Sequence, residues 1–275
     1  QGSGSYVRRQ PDPSILELAP IGTLGDLQRC FEFRANTEPS AAGLAAADWI
    51  PLVAGLAALS LVLGSLMGLM QSSFKRLLAY STISHVGFLL LGFVGGGAGG
   101  YAAAMFYAIS YSIMAVAAFG SLLLLRRAGV EADDIDGFRG LWNKSPGYAF
   151  LILFVIASLA GIPPFLGFFA KLQVIQAALL GGYQWLAIVA VVSAVIGAFY
   201  YLKLIRAMFF EKSEGEPAEI NADIHLRAAF AVNASALLVL GIFSNAILSW
   251  CIRAFPAGYA GTCKAGVTSA IMAIH

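Results

Sequence analysis

Charged residues are scarce in this sequence of 275 residues: they make up 12% of the chain, whereas hydrophobic residues make up 59%. The mean hydropathy is +0.78. Soluble domains carry about a quarter charged residues and about half apolar ones. The composition therefore excludes an ordinary soluble domain and indicates an integral membrane protein. The net charge of +2 and the lack of a basic tract argue against nucleic acid as a partner.

Cysteine is also rare, with three residues at Cys30, Cys251 and Cys263. Their spacing matches neither a metal-binding motif nor a disulfide framework, so we expect small apolar residues and no metal site. The sequence also shows no phosphate-binding loop and no haem or iron–sulfur motif. The absence of these motifs predicts that the chain itself carries no redox chemistry and binds no cofactor.

Long apolar segments dominate the middle of the chain and predict an all-α transmembrane bundle. We divide the chain into an extramembrane extension (1–46), a transmembrane domain (47–251) and a tail (252–275). Each apolar segment is close to or above the ~20 residues that cross a hydrocarbon core. The fourth is too long for one straight helix. The six predicted spans are 47–70, 76–95, 101–125, 148–181, 184–210 and 226–251.

Three loops separate these spans: a short glycine-rich turn at Gly95 to Gly100 and two polar loops, Arg126 to Gly147 and Glu211 to Ile224. If the spans alternate, the side with both polar loops carries ten Lys and Arg residues, against six on the other side. The positive-inside rule then places the polar loops in the cytoplasm or the mitochondrial matrix.

The fourth span contains the sequence "IPPFLGFFAK", in which Pro163 and Pro164 break the helix and Lys171 follows. Lys171 lies about ten residues before Gly181, or ~15 Å along a helix, which is near the middle of the membrane. A broken helix beside a buried lysine is a recurring construction in ion-translocating proteins. Burial disfavours the charged amine, so Lys171 is a candidate for reversible protonation. The alternative is a proline kink and a lysine that pairs with a neighbour's carboxylate.

His85 is a second mid-membrane candidate, because it lies ten residues beyond Lys75 on a helix with a polar stripe of Ser81, Thr82 and Ser84. A histidine can relay protons through its two ring nitrogens. The alternative is a histidine that bonds a neighbouring helix. Lys75 is either a membrane-edge anchor or an entry point. Lys203, ~10 Å deep, either reaches the interface or extends a polar chain inward.

The third span is unusually polar, with Tyr107, Ser110, Tyr111 and Ser112. Contacts with water or with a neighbouring helix would both use these side chains. Together with Lys171 and His85, they predict a chain of water and titratable groups suited to proton movement.

Four blocks of the sequence resemble the antiporter-like membrane subunits of respiratory complex I, with subunit 2 of NADH:ubiquinone oxidoreductase as the nearest branch. The blocks are "FKRLLAYSTISHVGFLLLGF", "MFYAISYSIMAVAAF", "GLWNKSP" and "SLAGIPPFLGFFAKLQVIQAAL". The resemblance covers about residues 47–250. It implies two inverted five-helix repeats, each with a broken helix. By motif, Lys171 is the lysine of the second broken helix, and Lys75, His85 and Lys203 fall on polar positions of the family.

The resemblance further implies proton translocation within an enzyme complex that transfers electrons from NADH to ubiquinone. FMN, iron–sulfur clusters and ubiquinone are then bound by other subunits. The chain matches only the second repeat and one final helix, which predicts the carboxy-terminal part of a split subunit whose front half is a separate chain. Other partners would be neighbouring antiporter-like subunits and membrane lipids.

The chain begins with Gln, and with its alanine- and glycine-rich composition this predicts import into the mitochondrial inner membrane. A bacterial plasma membrane is the alternative location. Two other functions stay open from the residues alone. One is a cation/proton antiporter-like subunit of a related complex, and the other is a non-pumping scaffold fragment.

Overall fold

The structure, a computed structural model, describes residues 49–127, 130–131, 134–212, 219–220 and 223–255. The predicted extension at 1–46 lies outside the described residues, as do residues 256–275 of the predicted tail. Cys30 and Cys263 belong to these two regions, and the division of the chain into three domains stays a prediction.

Five helices in the described ranges are long and apolar enough to cross a membrane. The chain is therefore a polytopic helical membrane protein, as its composition predicts. These helices are α1 (Trp49–Leu69), α2 (Phe74–Gly95), α3 (Gly97–Leu124), α7 (Gln184–Phe210) and α8 (Ile224–Ile242).

The fourth predicted span consists of two shorter apolar helices, α5 (Pro146–Ala160) and α6 (Leu166–Leu180). Prolines cannot donate a backbone hydrogen bond and push the preceding residue out of the helical region, so Pro163 and Pro164 end α5. Gly161 caps α5 with a φ of 85°, a conformation that glycine adopts without strain. The predicted broken helix is confirmed, and its two halves add to the five longer helices of the described ranges.

The two polar loops form a small sheet that the sequence did not predict. The first loop contains β1 (Leu125–Arg127) and β2 (Val130–Glu131), and the second contains β3 (Glu219–Ile220). The strand order is β2-β1-β3, and both pairs are antiparallel. Because β1 pairs with β3, both loops lie at one end of the bundle, which agrees with spans that alternate in direction. This region is called the loop end below.

A turn of 3-10 helix (Ile135–Phe138) and the short helix α4 (Leu141–Lys144) complete the loop end. An isolated bridge joins Ser73 to Asp134, so the turn between α1 and α2 lies here as well. Glu211, just after α7, binds both Arg139 and Arg206 through its carboxylate oxygens at 2.9–3.1 Å. These contacts hold the end of α7 against the first polar loop.

Two predicted boundaries were wrong. The glycine-rich turn is shorter than Gly95 to Gly100, since Gly96 alone separates α2 from α3. Gly96 and Gly97 both have positive φ angles, which permits this abrupt reversal. The sixth span, predicted over 226–251, is also divided: α8 ends at Ile242 and α9 (Ser244–Ala254) follows. Phe243 occupies the cap position between the two helices, and α9 begins at Ser244 without a side-chain capping hydrogen bond.

The helices α2, α3 and α6 pack against one another at the centre of the bundle. Small residues let their backbones approach closely, as the sequence predicts. A Cβ atom added at Gly92 would lie 2.8 Å from the backbone nitrogen of Ala104 on α3. The three helices carry Lys171, His85 and the polar residues of the third span, so their close packing brings the predicted site residues together.

Candidate functional site

Lys171 lies on α6 and points back to the end of α5. Its side chain is buried, and Nζ donates hydrogen bonds to the carbonyl oxygens of Leu159 at 2.8 Å and Ala160 at 3.0 Å. The last carbonyls of a helix have no partner within it, and the helix dipole makes this end negative. The end of α5 is therefore suited to hold a positively charged amine.

The break itself leaves these two carbonyls available to Lys171. The N–H of Gly161 donates to Ala157 and Ser158, and the N–H of Ile162 also donates to Ala157. The carbonyls that follow are the two that the amine binds. A Cβ atom at Gly161 would lie 3.2 Å from Nζ, so the glycine also gives the lysine its space.

The start of α6 is fixed to the end of α5 by Ser158. The N–H of Gly167 donates to Ser158 Oγ at 3.1 Å, which satisfies one donor of the first turn of α6. A Cβ atom at Gly167 would overlap the carbonyl oxygen of Ser158. The two halves of the broken helix are therefore held in close backbone contact just where Lys171 reaches across.

Backbone oxygens, and no carboxylate, hold the amine in the part of the chain that the structure describes. The six described spans contain no Asp or Glu. Three ion pairs lie at the loop end, where Arg139 pairs with Asp136 and Glu211, and Arg206 pairs with Glu211. The alternative, a lysine that pairs with a neighbour's carboxylate, stays a prediction.

Phe88 lies between Lys171 and His85. The Lys171 Nζ atom is 5.3 Å from the centre of the Phe88 ring, within the range of a cation–π contact. The ring centres of Phe88 and His85 are 6.4 Å apart, and those of Phe88 and Tyr107 are 6.1 Å apart. One aromatic side chain thus contacts all three polar residues.

His85 is buried on α2 and is bonded to α3. Its Nδ1 atom is 2.6 Å from the hydroxyl of Tyr107, and its ring stacks on Tyr111 with 4.6 Å between centres. The predicted alternative, a histidine bonded to a neighbouring helix, describes this geometry correctly. A role in proton transfer is compatible with the same contacts and stays a prediction.

A row of hydroxyl contacts continues along α2 towards the loop end. Tyr111 donates to Thr82 Oγ1 at 2.8 Å, and Ser81 forms a short hydrogen bond with the hydroxyl of Tyr201 on α7. Ser84 is buried and packs close to Gly64 of α1. The predicted polar stripe therefore faces three different helices.

The polar residues of the third span divide into two groups. Tyr107 and Tyr111 reach α2, whereas Ser110 and Ser112 donate to carbonyls of their own helix, those of Phe106 and Ala108. The sequence does not distinguish the two groups, because a serine can return its hydroxyl to the preceding turn of its own helix.

Lys75 and Lys203 lie apart from this cluster. Lys75 is the second residue of α2 and Lys203 lies on α7, and the side chains of both are exposed on this chain. The structure thus joins two of the four predicted site residues, Lys171 and His85, through Phe88. It leaves the other two on the surface of the bundle.

Tyr201 and Phe88 were missed from the sequence. Tyr201 follows Tyr200 in the stretch "GAFYYLK", and a pair of phenol groups inside a long apolar helix is a signal that was available. Phe88 carries no such signal, since a phenylalanine in an apolar span is ordinary. Its contacts emerge only when α2 and α6 pack.

Among the described residues, no group of three or more His, Cys, Asp or Glu side chains is placed to hold a metal ion. Cys251, the described cysteine, is buried on α9. The amine of Lys171, the imidazole of His85 and the phenol of Tyr107 are groups that can each bind or release a proton.

Comparison with known proteins identifies the family. A family model described as NADH:quinone oxidoreductase/Mrp antiporter, transmembrane, matches residues 38–197, more than half of the chain. This chain belongs to the NADH:quinone oxidoreductase/Mrp antiporter family. The residues of this chain that match the family model include His85, the break and Lys171, whereas Lys203 lies beyond them. The predicted resemblance is confirmed.

Individual family members are considerably longer than the region they share with this chain. NADH-quinone oxidoreductase subunit N of Xanthomonas euvesicatoria is 55% identical over 208 residues, 76% of this chain and 43% of the relative. The protein of that name from Acidithiobacillus ferrooxidans is 47% identical over 207 residues, 75% of this chain and 43% of the relative. The chain spans less than half the length of the curated relatives it matches.

Solved structures of the family share the fold. A chain in the structure of respiratory complex I from Thermus thermophilus with bound aureothin superposes with a TM-score of 0.64 at 32% identity, over 72% of this chain and 45% of that chain. A chain of the Mrp complex from Dietzia gives a TM-score of 0.65 at 24% identity, over 82% of this chain and 49% of that chain. The second likeness shows the fold alone.

Proposed function

We propose that this chain contributes to proton translocation in the membrane arm of an NADH:quinone oxidoreductase, and that Lys171 is the residue that gains and loses the proton. The observation that carries the proposal is the buried Lys171 amine, held by the carbonyls of Leu159 and Ala160 at the break. The 55% identity with an NADH-quinone oxidoreductase subunit N supports this complex over an antiporter complex.

The contacts of Lys171 depend on its charge. Hydrogen bonds from a charged amine are roughly twice as strong as neutral ones, and the negative end of α5 attracts only the charged form. Loss of the proton therefore weakens the hydrogen bonds between the Lys171 amine and the carbonyls of Leu159 and Ala160. A change of charge in a neighbouring subunit would bias the same equilibrium, which couples this site to redox chemistry elsewhere.

His85 and the two exposed lysines complete the proposed path. His85 and Lys171 both lie next to the Phe88 ring, and they would exchange protons through water. Lys75 lies where α2 begins, so it would exchange protons with the aqueous phase at the loop end. Lys203, on α7, is close in sequence to Tyr201, whose hydroxyl reaches Ser81, and it would connect the hydroxyl row to the same end.

The partners and cofactors follow from the family. In this proposal FMN, iron–sulfur clusters and the quinone are held by other subunits of the complex, and antiporter-like subunits and lipids surround the helices. The part of the relatives that this chain does not match would supply the first repeat, as the predicted separate chain or within a longer one. Mass spectrometry of the detergent-purified native complex would identify redox subunits and show which polypeptide carries that repeat.

The organisms of the relatives indicate which membrane holds this chain. The first relatives are bacterial, which favours a bacterial plasma membrane over the predicted mitochondrial inner membrane. Either membrane satisfies the chemistry, since both separate two aqueous phases across which protons are moved. Membrane fractionation of the source cells, followed by detection of this chain, distinguishes the two.

The function is tested by replacing Lys171 with Met in the complete complex and measuring protons pumped per NADH oxidised in inverted membrane vesicles. We expect pumping to fall sharply while NADH oxidation with an uncoupler continues. The change leaves two buried carbonyls unpaired, at a cost of about 1–3 kcal/mol each, so the amount of assembled complex is measured alongside. Lys212→Met, at an exposed lysine of the loop end, is the matched control.

The rival functions give other results. A scaffold would pump normally after Lys171→Met, and that result would overturn the proposal. A cation/proton antiporter would move protons against a sodium gradient in vesicles without NADH, and would copurify without redox subunits.

A further inference from the structure

Two tyrosines of α3, one helical turn apart, approach His85 in different ways. Tyr107 places its hydroxyl 2.6 Å from Nδ1 of the histidine. Tyr111 places its ring against the imidazole face, with an angle of 23° between the ring planes. Residues four apart lie on the same face of a helix, so both reach α2 together.

The hydroxyl proton of Tyr111 is already used in a hydrogen bond to Thr82. Thr82 donates its own single proton to the carbonyl of Leu78 at 2.9 Å, so its oxygen can only accept from Tyr111. Tyr111 does so at 2.8 Å. This tyrosine therefore offers His85 a ring face, and its hydroxyl takes part in the α2–α3 contact instead.

The hydroxyl of Tyr107 serves His85 in both of its charge states. A phenol group can donate one hydrogen bond and also accept. It accepts from Nδ1–H when the imidazole is charged, and it accepts from the same Nδ1–H after Nε2 has released its proton. Tyr107 is 1% exposed, so water does not readily replace it. Nδ1 thus keeps one partner throughout a cycle of protonation.

We propose that Tyr107 is a positioning residue that holds His85 Nδ1 in a fixed hydrogen bond, so that proton exchange is confined to the other ring nitrogen, Nε2. The inference rests on the proposed role of His85 in proton transfer. Tyr111 keeps the plane of the ring, and Tyr107 decides which nitrogen exchanges. Which nitrogen of a histidine carries the proton is set by the bond that the other nitrogen makes.

Other buried titratable groups lie on the helices packed on α2. Besides the two tyrosines of α3, these are Lys171 on α6 and Tyr200 and Tyr201 on α7. The residues of α1 over Trp49–Leu69 include no titratable side chain. Lys171 is the group whose charge can change together with that of His85, so any test must read the two separately.

Tyr107→Phe and Tyr111→Phe form a matched pair, because each removes one hydroxyl and keeps the ring. In inverted vesicles with the complete complex, we expect Tyr107→Phe to lower protons pumped per NADH by about fivefold, the size of one net hydrogen bond. The pH profile of pumping should move to lower pH, since the charged imidazole loses the stronger bond. Tyr111→Phe should leave the pH profile in place.

A double variant separates this inference from the proposed function. In a His85→Gln background, Tyr107→Phe should cause no further change in pumping or in its pH profile. If His85→Gln alone pumps normally, the role of His85 fails and this inference fails with it. If His85→Gln impairs pumping but Tyr107→Phe and Tyr111→Phe behave alike, the proposed role of His85 stands and the positioning role is overturned.

A third variant keeps the test valid if Tyr107→Phe prevents assembly. Replacing Tyr107 with 3-fluorotyrosine keeps the ring and the hydroxyl but makes the oxygen a weaker acceptor. The pH profile should then move in the same direction by a smaller amount. An assembled complex with the fluorinated residue and an unchanged pH profile would overturn the inference.

Discussion

The bundle contains two interrupted helical segments that touch, α5–α6 and α8–α9, and in the described residues the first has a buried charged group at its break whereas the second has none there. Gly241, near the end of α8, packs so closely on the first break that an added Cβ atom would overlap the carbonyl oxygen of Pro164. The first break is followed by the buried Lys171. The second is followed by Ser244, Leu248 and Cys251, which are buried but carry no charge.

The difference shows that a break alone does not make a polar site. Both breaks leave carbonyls at the end of a helix. At both, the next N–H group donates back into the preceding helix, from Phe243 to Val239 at the second break and from Gly161 to Ala157 at the first. Only at the first does a side-chain amine, that of Lys171, also bind two of the last carbonyls among the described residues, those of Leu159 and Ala160. The residue that a following helix presents to the open carbonyls decides the chemistry.

The largest expected contrast is between the phenylalanines of the two breaks. Phe165 is buried and its ring contacts Phe154, whereas Phe243 is 61% exposed. Phe165→Ala should cost about 3–5 kcal/mol of stability, while Phe243→Ala should stay within about 0.5 kcal/mol. The fraction of chain that remains in the native complex after heating measures both. Equal losses would show that the two breaks are packed alike.

A smaller effect is expected where the two breaks touch. Gly241→Ala forces a methyl group against the backbone of Pro164 and Leu166, and overpacking of this kind costs about 1–3 kcal/mol. Because the first break moves, pumping should also decline. Gly55→Ala on α1 is the control, since a Cβ atom there meets nothing within 4 Å. If both variants retain wild-type pumping and heat resistance, the contact between the breaks has no role.

The smallest expected effect concerns the first break alone. Ser158→Ala removes the partner of the Gly167 N–H and should cost about 1 kcal/mol. Ser110→Ala is the comparison, because its hydroxyl returns to a carbonyl of its own helix and should matter less. Thermal denaturation of the purified complex compares the two variants. A larger loss for Ser110→Ala would mean that the serine at the break does not fasten α5 to α6.

The break and the spans were predictable from the sequence because they depend on local chemistry. Pro163 and Pro164 cannot continue a helix, and the apolar segments are long enough to cross a membrane. The small sheet was not predictable, since strands of two or three residues carry no periodic signal. The end of the sixth span was also missed, because Ser244 and Asn245 are only two polar residues within an otherwise apolar stretch.

The site was predictable in part for a similar reason. Lys171 and His85 stand out, because ionisable residues deep in apolar spans are rare. Their partners depend on which helices meet. The carbonyls of Leu159 and Ala160 and the ring of Phe88 are unremarkable in the sequence, whereas the pair Tyr200 and Tyr201 was a signal that was overlooked. They become part of the site only through the packing of α2 with α3, α6 and α7.

Lys171→Arg tests most directly the central claim that Lys171 changes its protonation during pumping. Arginine keeps the positive charge that the end of α5 attracts, but it does not release a proton in proteins. We predict that the complex assembles and oxidises NADH with an uncoupler, while protons pumped per NADH fall as far as in Lys171→Met. Wild-type pumping by an assembled Lys171→Arg complex would contradict the account, because a fixed charge would then suffice at the break.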